Sequence, residues 1–247
     1  MGLDLKNYQK RVLRELDAYI ALLASTQNLN TAYNRHWHQL GIAVGFGGLP
    51  PYNDVLPGVP HVCFKVPTGG GKTFLACNAV KPIFDALPFT KAKVVVWLVP
   101  SDAILSQTVK ALKDPAHPYR QKLNADYGSS VVVYTKQELL NGQNFNPTAV
   151  TEQLSVMVLS YDSFRGRGKE ALKAYQQNSA LEPFSKALGK PEAPIEKADE
   201  TALFQVINQL SPLVIVDESH HARSELSLEM LKNFNPCFVL DLTATPK

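Results

Sequence analysis

Six short, valine-rich runs constrain the fold of this chain more than any other feature. HVCFKV (61–66), KVVVWLV (93–99), VVVY (131–134), SVMVLSY (155–161), PLVIVD (212–217) and CFVLDLT (237–243) are too short for typical helices and nearly continuous in apolar residues. An apolar run without alternation suits a strand covered on both faces, as strands of a parallel sheet are. Parallel neighbours need crossover connections, and helical patterns fall between most of the runs, at 72–87, 102–113 and 225–234. The expected fold is α/β, with a mostly parallel central sheet flanked by helices.

The flanking segments differ in character. Leu5, Tyr8, Val12, Leu16, Tyr19, Ile20 and Leu23 recur at helical spacing, which predicts an amphipathic helix over 3–24. Residues 27–60 are rich in Asn, Gly, Pro and aromatics and read as an inserted loop holding at most one short element. Residues 165–200 are polar, with helical patches and prolines, and read as a surface excursion between two core strands. The 247 residues fit one large domain, and a 45% hydrophobic content supplies ample core. No apolar run approaches the roughly 20 residues of a membrane span, and the amino terminus lacks an apolar signal core. Cys63, Cys77 and Cys237 are odd in number and have no paired spacing, so buried, reduced thiols in a cytoplasmic protein are expected. The net charge of +3 permits a nucleic-acid partner without requiring one.

Chemistry enters with Val66-Pro67-Thr68-Gly69-Gly70-Gly71-Lys72-Thr73. It departs from the strict G-x-x-x-x-G-K-[ST] phosphate loop, because Val66 stands where the first glycine belongs. Its placement is nonetheless right: an apolar run precedes it and a helical pattern follows. Glycines let backbone N–H groups approach phosphate oxygens, and a helix N-terminus favours anions. Lys72 would reach the β- and γ-phosphates, and the Thr73 hydroxyl would ligate Mg²⁺. The blander alternative is a glycine turn beside a solvated lysine. A second motif supplies what the first lacks. PLVIVD ends in Asp217 and Glu218, delivered to the carboxyl end of a strand, where open α/β sheets bind ligands. Asp217 can hold Mg²⁺ through its water shell, and Glu218 can orient or deprotonate an attacking water.

GGGKT, then DESHH, then LDLTATPK resembles motifs I, II and III of superfamily 2 helicases and translocases, in order and along nearly the whole chain. In that superfamily a small apolar residue commonly stands at the position of Val66. The DESHHARS context most resembles the branch of type III restriction subunits. The resemblance implies a RecA-like motor domain that couples Mg-ATP hydrolysis to movement on nucleic acid, with DNA ahead of RNA, in a restriction or repair setting. It also implies a second RecA-like domain beyond Lys247, carrying an arginine finger. The chain is then the first motor domain of a longer protein and weakly active by itself. Within the motifs, Pro67, Thr68, Gly69, Gly70, Gly71, Lys72 and Thr73 would bind ATP. Tyr8-Gln9 resembles a Q-type motif in which the Gln9 amide, donor and acceptor at once, reads adenine. His220, Thr243 and Thr245 would couple nucleotide state to the nucleic-acid side.

The resemblance also places nucleic-acid contacts. Ser101 and Gln107 fall in a motif Ia-like stretch whose helix N-terminus can hold a backbone phosphate. YTKQELL (134–140) and LSYDSFRGRG (159–168) occupy further contact positions, with positive charge from Arg165, Arg167 and Lys169. For each single residue a solvated loop is an equal alternative. His36-Trp37-His38 lacks the company of a metal site, and packing is the expected role of its aromatic. Two other functions stay open at this stage. One is a phosphate-loop small-molecule kinase, which needs neither Glu218 nor the TAT motif. The other is a non-catalytic nucleotide-binding module.

Overall fold

The computed structural model describes residues 4–87, 90, 92–163, 169–218 and 225–244. Six strands, β1 (His61–Lys65), β2 (Val94–Val99), β3 (Val131–Tyr134), β4 (Leu154–Ser160), β5 (Leu213–Asp217) and β6 (Phe238–Thr243), form one sheet in the order β1-β6-β5-β2-β4-β3. Every pairing is parallel. Among the described residues there are eleven α-helices: α1 (Asn7–Thr26), α2 (Leu29–Gln39), α3 (Lys72–Ala86), α4 (Asp102–Lys113), α5 (Pro118–Tyr127), α6 (Lys136–Leu140), α7 (Pro147–Glu152), α8 (Lys169–Leu172), α9 (Glu182–Leu188), α10 (Leu203–Gln209) and α11 (Glu225–Asn233). The expected α/β class with a flanked parallel sheet is the observed one. None of the described helices is long and apolar enough to cross a membrane.

The continuous apolar runs have a direct cause. Successive side chains of a strand point to opposite faces, and both faces of the central strands are covered. Val94, Val96 and Leu98 of β2 join a core with Phe184, Phe204, Val206, Ile207 and Phe234. Val95, Trp97 and Val99 join the opposite core with Leu75, Ala79, Ile83, Leu112 and Leu123. The edge strand β1 is different. Only Phe64 of its five residues is buried, and Cys63 and Lys65 are exposed. The expectation of buried thiols therefore holds for Cys77 alone, since Cys63 is exposed and Cys237 intermediate. Burial pushes the Cys237 thiol up to about 12.

Two flanking segments are more structured than their composition indicates. Within 27–60 an eleven-residue helix, α2, folds back on α1. Its N-cap is Asn28, whose side chain accepts from the Thr31 N–H at 2.8 Å, a cap that Asn forms readily. Trp37 packs with its ring centroid 6.1 Å from Tyr33 and 5.2 Å from His36.

The reading of 165–200 as a surface excursion needs correcting over its described part. Ala174, Leu181, Phe184 and Ile195 are buried in the sheet's core, and Phe184 meets Phe145 at 4.6 Å. The physical reason is the crossover from β4 to β5. Its polar residues face solvent, while a few apolar ones cover a sheet face that would otherwise be wet. Phe184→Ala is accordingly expected to cost about 3–5 kcal/mol of stability, the usual cost of emptying a core phenylalanine site. Urea unfolding measures it. A loss within about 0.5 kcal/mol, typical of surface positions, would restore the excursion reading.

Candidate nucleotide site at the carboxyl edge of the sheet

All six strands are parallel, so their carboxyl ends share one edge of the sheet. The phosphate-loop motif lies there. Beyond β1 the chain continues through Val66, whose N–H donates to the Thr243 carbonyl at 3.0 Å, and turns at Pro67 toward α3. Gly69 and Gly71 have φ of 76° and 74°, a region that glycine enters without strain. Gly70 is required for space. A Cβ there would come within 2.5 Å of Val66 Cγ1 and 2.8 Å of the Pro67 carbonyl. At Gly71 it would come within 2.7 Å of Gln9 Nε2. Val66 is almost wholly buried and belongs to the core under the loop. The residue that breaks the strict motif therefore forms the apolar floor on which the glycines bend.

Two side chains from α1 reach the Gly70 carbonyl. Gln9 Nε2 donates to it at 3.0 Å, and the Tyr8 hydroxyl donates to the same oxygen. Gln9 Oε1 accepts from the Lys6 N–H at 2.8 Å, which satisfies the N-cap N–H at the start of α1. The 63 positions between Gln9 and Lys72 thus do not separate them in space. The start of α3 has no side-chain cap and no acidic residue in its first turn. Its amino-terminal N–H groups and their positive dipole end face the loop opening.

The acid pair arrives from β5. Asp217 is opposite Leu242 in the ladder, and Lys65 is opposite Thr243, so β6 lies between the strand of the phosphate loop and the strand of the acids. The Lys72 ammonium nevertheless forms an ion pair with Glu218 Oε1, both partly shielded from solvent. Glu218 holds a left-handed backbone, φ 53°, which costs a non-glycine residue of order 1 kcal/mol. Asp217 is buried, and its carbonyl accepts from the Tyr161 hydroxyl at 2.7 Å. Burial chiefly, and then the Glu218 carboxylate, push the Asp217 carboxyl above its ordinary range, while Lys72 and the Glu218 N–H pull it back. Tyr119 of α5 lies beside the Thr73 hydroxyl, with its own phenol pushed up by burial.

These groups have the chemistry of a phosphate and divalent-cation site. The loop is closed so tightly that a Cβ at Gly70 or Gly71 would collide with Val66, Pro67 or Gln9. Lys72 carries the positive charge, and a buried carboxylate flanks a threonine-bearing helix start. Thr243, expected as a coupling residue, is buried at the end of β6, with its hydroxyl 3.4 Å from the Ala244 carbonyl. His220, Thr245 and Arg165, together with His221 and Arg167, lie outside the described residues. A cavity of about 700 Å³ lies at the opposite edge of the sheet, lined by Leu23, Tyr52, Ile83 and Phe238, and holds none of the motif residues.

Of the described nucleic-acid candidates, Ser101 follows the carboxyl end of β2. Ser101 is the N-cap of α4, accepting from the Ile104 N–H at 3.4 Å, and is exposed. Gln107 is exposed farther along α4. Thr135 caps α6 at the end of β3, where Glu138 completes the capping box and binds Lys113 of α4 at 2.6 Å. Lys136 donates to the Ser163 carbonyl at 2.9 Å and so ties YTKQELL to LSYDS (159–163). The roles of Tyr119 and Tyr161 carried no signal in the sequence, because each comes to the acid pair from an element distant in the chain.

The fold and this edge define a class: an α/β domain with a phosphate-loop motif between its first strand and the following helix. A family model described as type III restriction enzyme, res subunit, matches residues 2–247, and the chain belongs to that family. No curated protein is similar enough to count as a relative. Solved structures similar to the chain include the UvsW helicase from bacteriophage T4, at 11% identity and a TM-score of 0.37, matching 77% of this chain and 48% of that one. Another is a nuclease-deletion mutant of the Type ISP restriction-modification enzyme LlaGI in complex with a DNA substrate mimic. It is 15% identical with a TM-score of 0.44, matching 99% of this chain and 18% of that one. The chain thus spans under half the length of each.

Proposed function

We propose that this chain is the ATP-binding motor domain of a nucleic-acid helicase or translocase, acting on DNA in preference to RNA. The observation that carries the reading is the convergence of Lys72, Asp217 and Glu218 at one edge, with Lys72 and Glu218 ion-paired across the intervening strand. In the proposed mechanism the loop N–H groups and Lys72 hold the nucleotide phosphates. Thr73 and Asp217 would hold Mg²⁺, Asp217 through its water shell, and the ion would neutralise developing phosphate charge. Glu218 leaves Lys72 as phosphate arrives and takes up the attacking water as base or orienting group. Gln9 exchanges a bond to Gly70 for the adenine edge. Ser101 and Gln107 hold the strand's backbone, contacts that position without reading sequence. Thr243 and Thr245, with His220, relay nucleotide state between the two.

A second RecA-like domain completes the cleft in this reading. An arginine finger supplied from there is worth about 10³–10⁵ in rate, so the 247-residue chain alone hydrolyses ATP weakly. The test is magnesium-dependent ATP hydrolysis by the full-length protein with no nucleic acid, with DNA and with RNA. Stimulation by DNA above RNA is expected. A rate indifferent to every nucleic acid, with phosphate transferred to a small molecule, would replace the motor by a kinase.

A further inference from the structure

The 40–49 loop presents a single aromatic to solvent in a way the packing of the domain does not need. Phe46 is 108% exposed, and the neighbouring Leu40 and Ile42 are each 40% exposed. The loop is not slack. Gly45 N–H donates to the Leu49 carbonyl at 2.8 Å, Leu49 N–H to Ala43 at 2.9 Å, and Gly48 N–H to Gly45 at 3.0 Å. Gly45 and Gly47, on either side of Phe46, have φ of 101° and 73°. A Cβ at Gly48 would sit 2.2 Å from the Ala43 carbonyl, so the closure admits only glycine there. The backbone is thus tied into a tight turn with the ring at its tip. A lone exposed phenylalanine forfeits burial worth roughly 1.5–3 kcal/mol, which makes a rigid display of one informative.

The surroundings indicate what the ring meets. His36 of α2 packs against Tyr19 of α1 and lies 3.8 Å from Glu15, so α2 runs antiparallel to α1. It returns the chain toward the edge of the sheet where Gln9 meets the phosphate loop. The exposed cations of this hairpin are Lys6, Lys10, Arg11, Arg14 and Arg35, five against three carboxylates over residues 4–50, one of which, Glu15, faces His36. An exposed aromatic on a segment whose exposed charge is net positive has the two groups by which proteins hold unpaired nucleic-acid strands, a ring to stack on a base and cations to take phosphates. A protein-docking patch would need a broader apolar rim around its anchor than Leu40 and Ile42 provide.

We propose that Phe46 stacks on an unpaired base of a nucleic-acid strand whose phosphates are taken by the exposed cations of α1 and α2. The site deepens the motor reading and rests on it: it adds a contact in a segment outside the motifs that imply nucleic-acid binding. The experiment uses the full chain with a single-stranded DNA oligonucleotide carrying 2-aminopurine, read by anisotropy for affinity and by base emission for stacking. Phe46→Ala is expected to weaken single-strand binding about tenfold and to abolish the quenching of 2-aminopurine. Phe46→Trp should retain both, and Arg14→Ala should make log affinity about 0.7 unit shallower against log salt. ATP hydrolysis without nucleic acid should be unchanged in Phe46→Ala. If wild type binds DNA and Phe46→Ala binds within twofold with the same quenching, the stacking site falls and the motor reading stands. If Phe46→Ala alters self-association and leaves DNA affinity intact, the tip is a protein contact and the proposal is overturned. If the wild-type chain binds no nucleic acid while hydrolysing ATP, both fall together.

Discussion

Glu218→Gln is expected to reduce nucleotide hydrolysis by about 10²–10⁴-fold, the usual contribution of a positioned acid–base group, while ATP binding survives. The amide keeps the size of the side chain, so the left-handed backbone at 218 is preserved. It lacks the charge and basicity to take a proton from water. Removing that charge also releases Lys72 from its ion pair, so nucleotide binding should hold or tighten. Single-turnover hydrolysis alongside equilibrium binding of ATP separates the two effects. If hydrolysis stays within a few-fold of wild type, Glu218 is not the base, and its pairing with Lys72 is structural.

Lys72→Ala is expected to act on the other quantity, weakening Mg-ATP binding by roughly 10–100-fold. A hydrogen bond to a charged group contributes about 1.5–3 kcal/mol, and Lys72 is the ammonium in contact with the acid pair. Hydrolysis should fall further still, by about 10²–10³, as it does when one preorganised donor to developing charge is removed. A second consequence follows from the electrostatics. Burial and Glu218 already push the Asp217 carboxyl up, and Lys72 opposes them. Without the lysine, that carboxyl rises further and holds its proton to higher pH. Mg²⁺ competes with that proton, so the loss of metal-dependent binding in Lys72→Ala should be greatest at the acid end of the pH range. Lys72→Arg, which keeps the charge, should restore the pH profile more fully than the rate. Titration calorimetry with Mg-ATP at two pH values reads both. Unchanged affinity in Lys72→Ala would mean that the glycine loop is a turn and not a phosphate site.

The parts legible in the sequence share a physical property: they are local. Each strand is a short apolar run, and α3, α4 and α11 begin at the residues their patterns mark. The motifs sit at strand ends, and a parallel sheet brings all its carboxyl ends to one edge. The presence of Val66–Thr73 and of Asp217 and Glu218 at the same edge therefore follows from strand direction, though not their distance along it. The illegible parts are those whose apolar residues are sparse. In 27–60, α2 turns only Ala32 and His36 fully inward, and an Asn cap in an Asn-rich stretch does not stand out. In the described part of 165–200, a few buried residues are scattered among polar ones, so no period shows, although Phe184 and Leu181 have no exposure at all.

By itself the sequence determined the fold class, the phosphate-loop motif with its departure at Val66, and the identity of the acids. Those are consequences of composition and spacing within a few residues. Only the tertiary structure decided that β6 separates the loop strand from the acid strand, that Lys72 meets Glu218 across it, and that Tyr8 and Gln9 close on Gly70. It alone set the Phe46 ring in solvent while the nearby Trp37 packs. Each of these depends on strand order or on contacts between distant segments. A run of valines says that a strand is buried on both faces, and nothing about which strand lies beside it.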